Sequence, residues 1–577
     1  MTASRRRRAF LGVLGVAIAA RVLNLWLVSG LPVAEYQVRW PESDMTSSWV
    51  WSGRILSGDV LGRDTPHQYT SWMREWAPLE TWERWWGGRA VFHQAPLYAY
   101  TLAAMRLVAG DGFWGVGLCQ ALLGVANVAL VYLLAARMFE GAVPVIAGLG
   151  AALYGPFLLH ETLFLRDVLG VTVSLLLLWW LAGCREARPV PWLVAGALFS
   201  LAMLAREATL VFLPFVALWI ARLFGRDPRT LAAVTLSFVT GVAVGAAPLV
   251  ARNVAVGAPP LSLSTRGIEA FVYGNAADTA VIGLTPPAAT RTILEQSDGR
   301  LGTAIGLTLG TYQGDWLRLL GNELFKLRAI FARYEGMDNV NWYYFADRLP
   351  LLRFSLHFEW VLALGLVGLW LDRRRAAEHR LLWYFLLASV AALMYATIVG
   401  RYRLPAVAVL LAYAAVTVEW TGRHVADRRW REAALAVLAV IAFASASASL
   451  LPAAERRQRY RADEFLLAGE VHYRHGRAEQ AFEELRAGLE TAYGGPDQPR
   501  LPVAYRDLAL TFSRLAHELR RDADAAVALE GVAASHPADA QLERVIGSVY
   551  RDGMGRVAEG EKHFTRARAL DGSLGPP

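Results

Sequence analysis

The sequence predicts an all-α, polytopic membrane protein of about 11 transmembrane helices, followed by a soluble α-helical repeat domain. Three observations predict it. The chain of 577 residues is 55% hydrophobic and only 19% charged, the balance of an integral membrane protein. Apolar stretches near the roughly 20 residues needed to cross a bilayer recur as far as residue 451. From about residue 453 the chain turns charged and Ala-rich and holds no further span. The expected domains are therefore a membrane module over 1–452 and helical repeats over 453–577.

The spans read 9–29, 114–138, 142–160, 164–183, 191–205, 208–223, 230–250, 356–371, 381–399, 404–421 and 433–451. Arg5–Arg8 precede the first, which places the N-terminus in the cytoplasm. Arg21 and Asn24 interrupt that apolar run and no small-residue cleavage site follows it, so it reads as an uncleaved anchor. Alternation then puts Arg137–Gly141, Cys184–Pro189, Arg222–Arg229, Asp372–Arg380 and Gly422–Arg431 inside, each short and Arg-bearing, as the positive-inside rule requires. The long loops 30–113 and 251–355 and the C-terminal region fall on the other side. This holds if 94–109 lies on the membrane rather than crossing it. Its length, its Pro96 start and the Arg106 interruption favour an interfacial helix.

The C-terminal region reads as helical hairpins. Ala468-Gly469, Tyr473, Gly476, Ala481 and Gly488-Leu489 fit the small-residue and turn positions of a tetratricopeptide pair, with weaker copies around Leu508-Ala509, Ala526 and Gly547–Ala567. Such a surface suits a protein partner; a plain helical bundle is the alternative. Cys119 and Cys184 both lie in or beside apolar segments, so no disulfide framework and no Cys-based metal site is expected. The net charge of +8 belongs to the membrane part and calls for no nucleic acid.

The chemistry concentrates in the first loop. Glu42-Ser-Asp44-Met-Thr-Ser-Ser-Trp-Val-Trp51 sets a carboxylate just beyond the first span, and Phe92-His93-Gln-Ala-Pro96-Leu-Tyr98 follows. Taken alone, Asp44 reads as an exposed cap of a helix starting at Met45, because Asp is a favoured N-cap. Its company points to more. Glu161 ends the third span, and Arg206-Glu207 sit at the tip of a short hairpin near the membrane surface. Arg252-Asn253 close the seventh span, Lys326 lies on an amphipathic stretch, and Arg401 and Arg403 top the ninth. Charges at such depth normally face a cavity and pair. Guanidinium forks match phosphate oxygens, although snorkelling at the interface explains any single cation about as well. Eight tryptophans between Trp40 and Trp86 read mainly as an interfacial aromatic belt.

Taken in order, these residues resemble a family. The anchor, Asp44, Ile55, Gly58-Asp59, Pro96-Leu97-Tyr98, the Glu161 region, Arg252-Asn253, Tyr273-Gly274-Asn275 and Arg401-Tyr402-Arg403-Leu404-Pro405 are similar to the GT-C membrane glycosyltransferases. The nearest branch is that of protein O-mannosyltransferases and lipid A aminoarabinose transferases, in bacterial members with C-terminal tetratricopeptide repeats. The resemblance covers about residues 9–420. It departs at the first-loop site, where many relatives have Asp-Glu and this chain has Asp44-Met45.

The resemblance implies a polyprenyl-phosphate-linked sugar donor, an inverting transfer to an acceptor hydroxyl on a lipid, glycan or protein, and a bacterial inner membrane with the repeats outside the cytoplasm. Asp44 is then the general base, with Glu161 orienting the acceptor or tuning Asp44. Arg252, Lys326, Arg401 and Arg403 are candidates for the leaving phosphate, and Arg206, Glu207, His93 and Tyr98 for the cavity lining. No cofactor is certain from the sequence, and a divalent metal is possible. Some of the superfamily use a divalent metal, but dispersed carboxylates without a His cluster argue against a metal site here. Two other classes fit the composition. A lipid or glycan transporter would show internal repeats and broken midplane helices, and no such symmetry is visible. A scaffold that only presents the repeats has no need of Asp44, Glu161 and the arginines on one side.

Overall fold

The computed structural model describes residues 3–69, 71–457, 459–491, 503–535 and 537–572. The chain divides into two compact units. The larger holds Met1–Val28, Pro41–Trp342 and Leu349–Leu451; the smaller holds Ser29–Trp40, Tyr343–Arg348 and Pro452–Pro577. No named strand occurs among the described residues, and the protein is all-α as the sequence predicts.

The larger unit is built on α1 (Ala3–Ser29), α2 (Asp44–Leu56), α3 (Leu97–Ala109), α4 (Phe113–Met138), α5 (Val143–Leu153), α6 (Asp167–Gly183), α7 (Pro189–Ala205), α8 (Leu213–Phe224) and α9 (Pro228–Val256). It continues through α10 (Arg266–Asn275), α11 (Trp316–Phe331), α12 (Phe358–Asp372), α13 (Arg380–Tyr395), α14 (Leu404–Ala426) and α15 (Trp430–Ser449). Among the described residues six helices are long and apolar enough to cross a membrane: Ser4–Ser29, Phe113–Met138, Glu207–Phe224, Pro228–Val256, Gly400–Ala426 and Trp430–Ser449. Shorter apolar helices, α5, α6, α7 and α13 among them, occupy other expected spans. The protein is a multi-pass membrane protein.

Local chemistry sets these elements. Asp227 caps α9 by accepting from the Arg229 N–H, Pro228 fills the first turn, and Gly257 ends the helix at φ 77°. The expected span 142–160 is two helices, Val143–Leu153 and Gly155–His160. Tyr154 is extended between them, the Gly155 N–H bonds the Leu356 carbonyl at 3.0 Å, and Pro156 has no N–H to continue the ladder. α7 and α9 cross at Gly196 and Gly241, where a Cβ on either would run into the other helix's backbone, the close approach small residues permit.

In the smaller unit, helices Ala462–Arg474 and Ala478–Thr491 pair as a hairpin, followed by Val503–Glu518, Asp522–Ser535, Ala540–Ser548 and Val557–Leu570. Gly469 lies against Leu485, Gly488 against Phe465 and Leu508, and Gly547 against Phe564. The small residues singled out in the sequence thus sit where helices touch. Gly476 and Gly555 turn the chain at φ 71° and 67°.

Candidate active site

Asp44 is the first residue of α2, not its cap. Ser43 is the cap, its hydroxyl accepting from the Thr46 N–H at 3.1 Å. Asp44 is also buried, at 3% exposure, so the exposed-cap reading does not hold. Both carboxylate oxygens are taken. Oδ1 accepts from Gln94 Nε2 at 2.6 Å and Gln68 Nε2 at 3.2 Å. Oδ2 accepts from Arg401 at 2.6 Å and Asn339 Nδ2 at 3.0 Å. The Asn339 carbonyl oxygen in turn accepts from the Asp44 N–H at 2.6 Å, so one amide clasps both the backbone and the side chain of Asp44.

Each partner is itself held. Trp82 donates its indole N–H to the Gln68 carbonyl at 3.0 Å, which fixes the segment carrying Gln68. Trp82, Trp85 and Trp86 are buried with Ile268, Val272 and Tyr273 of α10, and Trp51 packs on Phe92. These four tryptophans of the first loop are core, not membrane belt. Trp82, Trp85 and Trp86 dock that loop onto α10, which carries Arg266 toward Asp44.

Arg401 gathers three carboxylates. Its guanidinium reaches Asp44, Asp167 Oδ2 at 3.1 Å and Asp338. Arg206 binds the other oxygen of Asp167 at 2.6 Å. On the far side of Asp44, Arg266 stands 4.0 Å away and pairs with Glu269 at 2.7 Å. His93 Nε2 lies 3.6 Å from Glu269, and its Nδ1 is 3.3 Å from the Thr265 hydroxyl. The result is one alternating series of buried charges, Arg206–Asp167–Arg401–Asp44–Arg266–Glu269, in which each ion is paired, as low-dielectric burial demands. Burial alone would raise the Asp44 carboxyl; Arg266 and Arg401 outweigh it and hold the group well below its ordinary value. Burial wins at Glu269, which is raised, and at His93, which is pushed well below the usual histidine range.

The structure sorts the expected residues. Arg401 and Arg206 join Asp44's network. Glu207 lies beside it, accepting from Arg166 at 2.8 Å, the Ala95 N–H at 2.6 Å and Ser264 at 2.7 Å. Tyr98 bonds Gln120 at 2.9 Å. Glu161 pairs instead with Arg21 of α1 at 2.9 Å, so the charge interrupting the first span is answered from the end of the third. Arg252 donates to the carbonyls of Leu61, Gly62 and Ala90 and covers the Phe92 ring at 3.7 Å. It fastens the first loop to the end of α9. Lys326 is fully buried and donates to Asn275 at 2.8 Å and to the Met394 carbonyl. Arg403 holds the Ala332 and Tyr334 carbonyls and Glu335. These three cations stitch loops to helix ends rather than meeting at Asp44.

Sequence reasoning missed Asp167, Asp338, Asn339, Arg266 and Glu269. Arg166-Asp167 opens an apolar run just as Arg206-Glu207 closes one, and the same depth argument would have found it. A divalent ion does not fit the carboxylates as they stand: Asp44, Asp167 and Asp338 converge on a point that the Arg401 guanidinium fills. Among the described residues no group of three or more His, Cys, Asp or Glu is placed to hold a metal.

Residues 93–251 match the family model described as dolichyl-phosphate-mannose-protein mannosyltransferase. No curated protein matches the chain. Among solved structures, the oligosaccharyltransferase of Archaeoglobus fulgidus in complex with Zn and sulfate is similar at 15% identity, TM-score 0.43, over 88% of this chain and 61% of that one. The same enzyme tethered with an acceptor peptide matches at 14% identity, TM-score 0.40, over 82% and 58%. ArnT from Cupriavidus metallidurans in the apo state matches at 15% identity, TM-score 0.23, over 67% and 80%. The chain spans about three fifths of the length of the archaeal chains it matches.

Proposed function

We propose that this chain is a GT-C-type membrane glycosyltransferase that moves a sugar from a polyprenyl-phosphate donor to an acceptor hydroxyl, with inversion, and that Asp44 is the general base. The observation that carries the reading is the Asp44 carboxyl group, buried at the start of the first-loop helix between Arg266 and Arg401. The description of the matched family, which names a dolichyl-phosphate sugar, supports the donor class.

The chemistry balances on the residues present. The acceptor oxygen attacks the anomeric carbon from the face opposite the phosphate. The bond from that carbon to the phosphate oxygen breaks, and the acceptor proton passes to Asp44. Of the four hydrogen-bond donors to the Asp44 carboxylate Gln68 is the most distant, and its contact is only part-buried, so it is the one the acceptor hydroxyl replaces. The leaving group departs as a phosphate, whose charge needs cations rather than a proton donor. Arg266 and Arg401 are the cations nearest Asp44 and serve it. As the phosphate draws their field, Asp44 regains basicity that the resting pairs suppress. Asp338 and Asp167 keep Arg401 aimed at Asp44. Arg252, Lys326 and Arg403 shape the cavity by holding its loops.

The test is transfer of radiolabelled sugar from defined polyprenyl-phosphate sugars by the purified protein to acceptors in a membrane extract. Label should move to an acceptor, with inverted anomeric configuration in the product. Movement of lipid-linked sugar across proteoliposomes without any transfer would favour the transporter class instead.

A further inference from the structure

α11 carries a feature that the transfer chemistry does not use. Trp316, Leu317, Leu320, Leu324 and Leu327 are spaced to fall on one face of this helix, and they stand between 38% and 82% exposed. Its other side is built into the protein: Lys326, Ala329 and Ile330 are buried. Five large apolar side chains in one stripe are more than a water-facing surface ordinarily carries.

The attachments of α11 set its level. The Arg328 side chain donates to the Leu450 carbonyl at 2.9 Å, and the Ser447 hydroxyl donates to the Phe331 carbonyl at 2.8 Å, both at the end of α15. Lys326 donates to the Met394 carbonyl near the end of α13. α15 is long and apolar enough to span a membrane, and α13 is one of the shorter apolar helices. α11 is therefore fastened where two membrane helices emerge, on the side of the molecule to which Lys326 and Asn275 also belong. Arg318 likewise donates to the Ala277 carbonyl at 2.8 Å, so the helix is fastened near both ends while its apolar face stays open, the arrangement of a helix lying in the acyl boundary.

We infer that α11 is a membrane-surface helix whose Trp316–Leu327 face inserts into the headgroup–acyl boundary of the leaflet on the Asp44 side. It thereby ties the bilayer to the site. Lys326 on its buried face donates to Asn275 at 2.8 Å, and Asn275 ends α10, the helix that brings Arg266 to Asp44. The occupant of the apolar face is lipid.

The experiment uses the full chain in proteoliposomes of phosphatidylethanolamine and phosphatidylglycerol. Cys119 and Cys184 are replaced by Ala, and Leu317→Cys and Leu324→Cys are nitroxide-labelled singly. Collision with oxygen and with a water-soluble nickel chelate then reports depth. Both labels should favour oxygen over nickel, at a depth just below the phosphates, and Leu317→Asp should abolish this at Leu324→Cys. Water-like accessibility at both sites overturns the inference. So does a label immobilised and shielded from both reagents, which would mean that a second copy of the chain covers the face. Depth is read without substrate, so the outcome is independent of whether transfer occurs.

Discussion

Asp44 draws its character from five residues distant in sequence. Gln68, Gln94, Arg266, Asn339 and Arg401 all converge on it. Asn339 is the most constraining, because its carbonyl is committed to the Asp44 N–H and its amide must therefore face the carboxylate. Asn339→Asp keeps the shape and sets a like charge beside Asp44. The Asp44 carboxyl is held below its ordinary value in the wild type. A base works only when deprotonated, so wild-type kcat should show no Asp44 limb above pH about 4. In Asn339→Asp the added charge raises the group, and an acidic limb should move up into the measurable range, with kcat falling as pH drops through it. A profile identical to wild type would separate Asn339 from the chemistry. Gln68→Ala, by contrast, should change kcat by less than about fivefold, since the acceptor displaces that contact, whereas loss of a positioned partner such as Gln94 costs about tenfold or more. Of this site, Asp44, Arg401 and Arg206 were legible in the sequence as charges next to apolar spans. Asp338, Asn339 and Arg266 were not, because they sit in a long loop where polar residues are ordinary and only tertiary contact with Asp44 and Arg401, distant in sequence, gives them meaning.

At the scale of elements, the spans were legible because apolar length is a direct physical requirement of the bilayer. The break at Tyr154-Gly155-Pro156 shows what length alone conceals: the span was legible, its interruption was not, although Gly-Pro marks it. Where an interfacial helix was expected over 94–109, a helix forms over Leu97–Ala109. Arg106, read as an interruption, is buried and bonds the Trp49 carbonyl, Ser52 and Asp111, fastening α3 to α2. Glu161 and Arg21 show the same economy. Their pair fits only because residue 124 on α4 is glycine: a Cβ there would collide with the Glu161 carboxyl and the Arg21 guanidinium. Gly124→Ala should therefore destabilise the protein by about 1–3 kcal/mol, read as a lowered thermal midpoint in detergent, with donor binding kept in the folded fraction. An unchanged midpoint would mean that the pair has room to move.

At the scale of the molecule, the smaller unit is not the simple C-terminal appendage that the composition change suggested. It also takes in Ser29–Trp40 and Tyr343–Arg348. Glu35 pairs with Arg474 at 3.0 Å, Arg348 with Glu484 at 2.6 Å, and the Tyr344 ring packs on Phe465 at 5.2 Å. The two short segments were not legible, since nothing in their composition separates them from the loops around them. Deleting 453–577 should thus strip buried Val33, Tyr36 and Tyr344 of their cover and lower the thermal midpoint by roughly 5 °C or more. If the repeats serve only to recruit acceptor, transfer to a small generic acceptor should survive in the folded fraction. A reporter active only after export, fused at the C-terminus, should be active if 11 spans follow a cytoplasmic N-terminus.

The central claim is that Asp44 takes the acceptor proton, and Asp44→Asn tests it most directly. Asn is nearly the same size, and Ser43 rather than Asp44 caps the helix, so the start of α2 is kept. With purified protein, single-turnover transfer is measured per mole of enzyme that binds a polyprenyl-phosphate donor. Donor binding should stay within a few-fold of wild type and transfer should fall at least about 100-fold, the usual worth of a positioned base. Transfer near the wild-type rate in donor-binding Asp44→Asn protein would contradict the claim and leave Asp44 as one buried ion among several that hold the first loop in place.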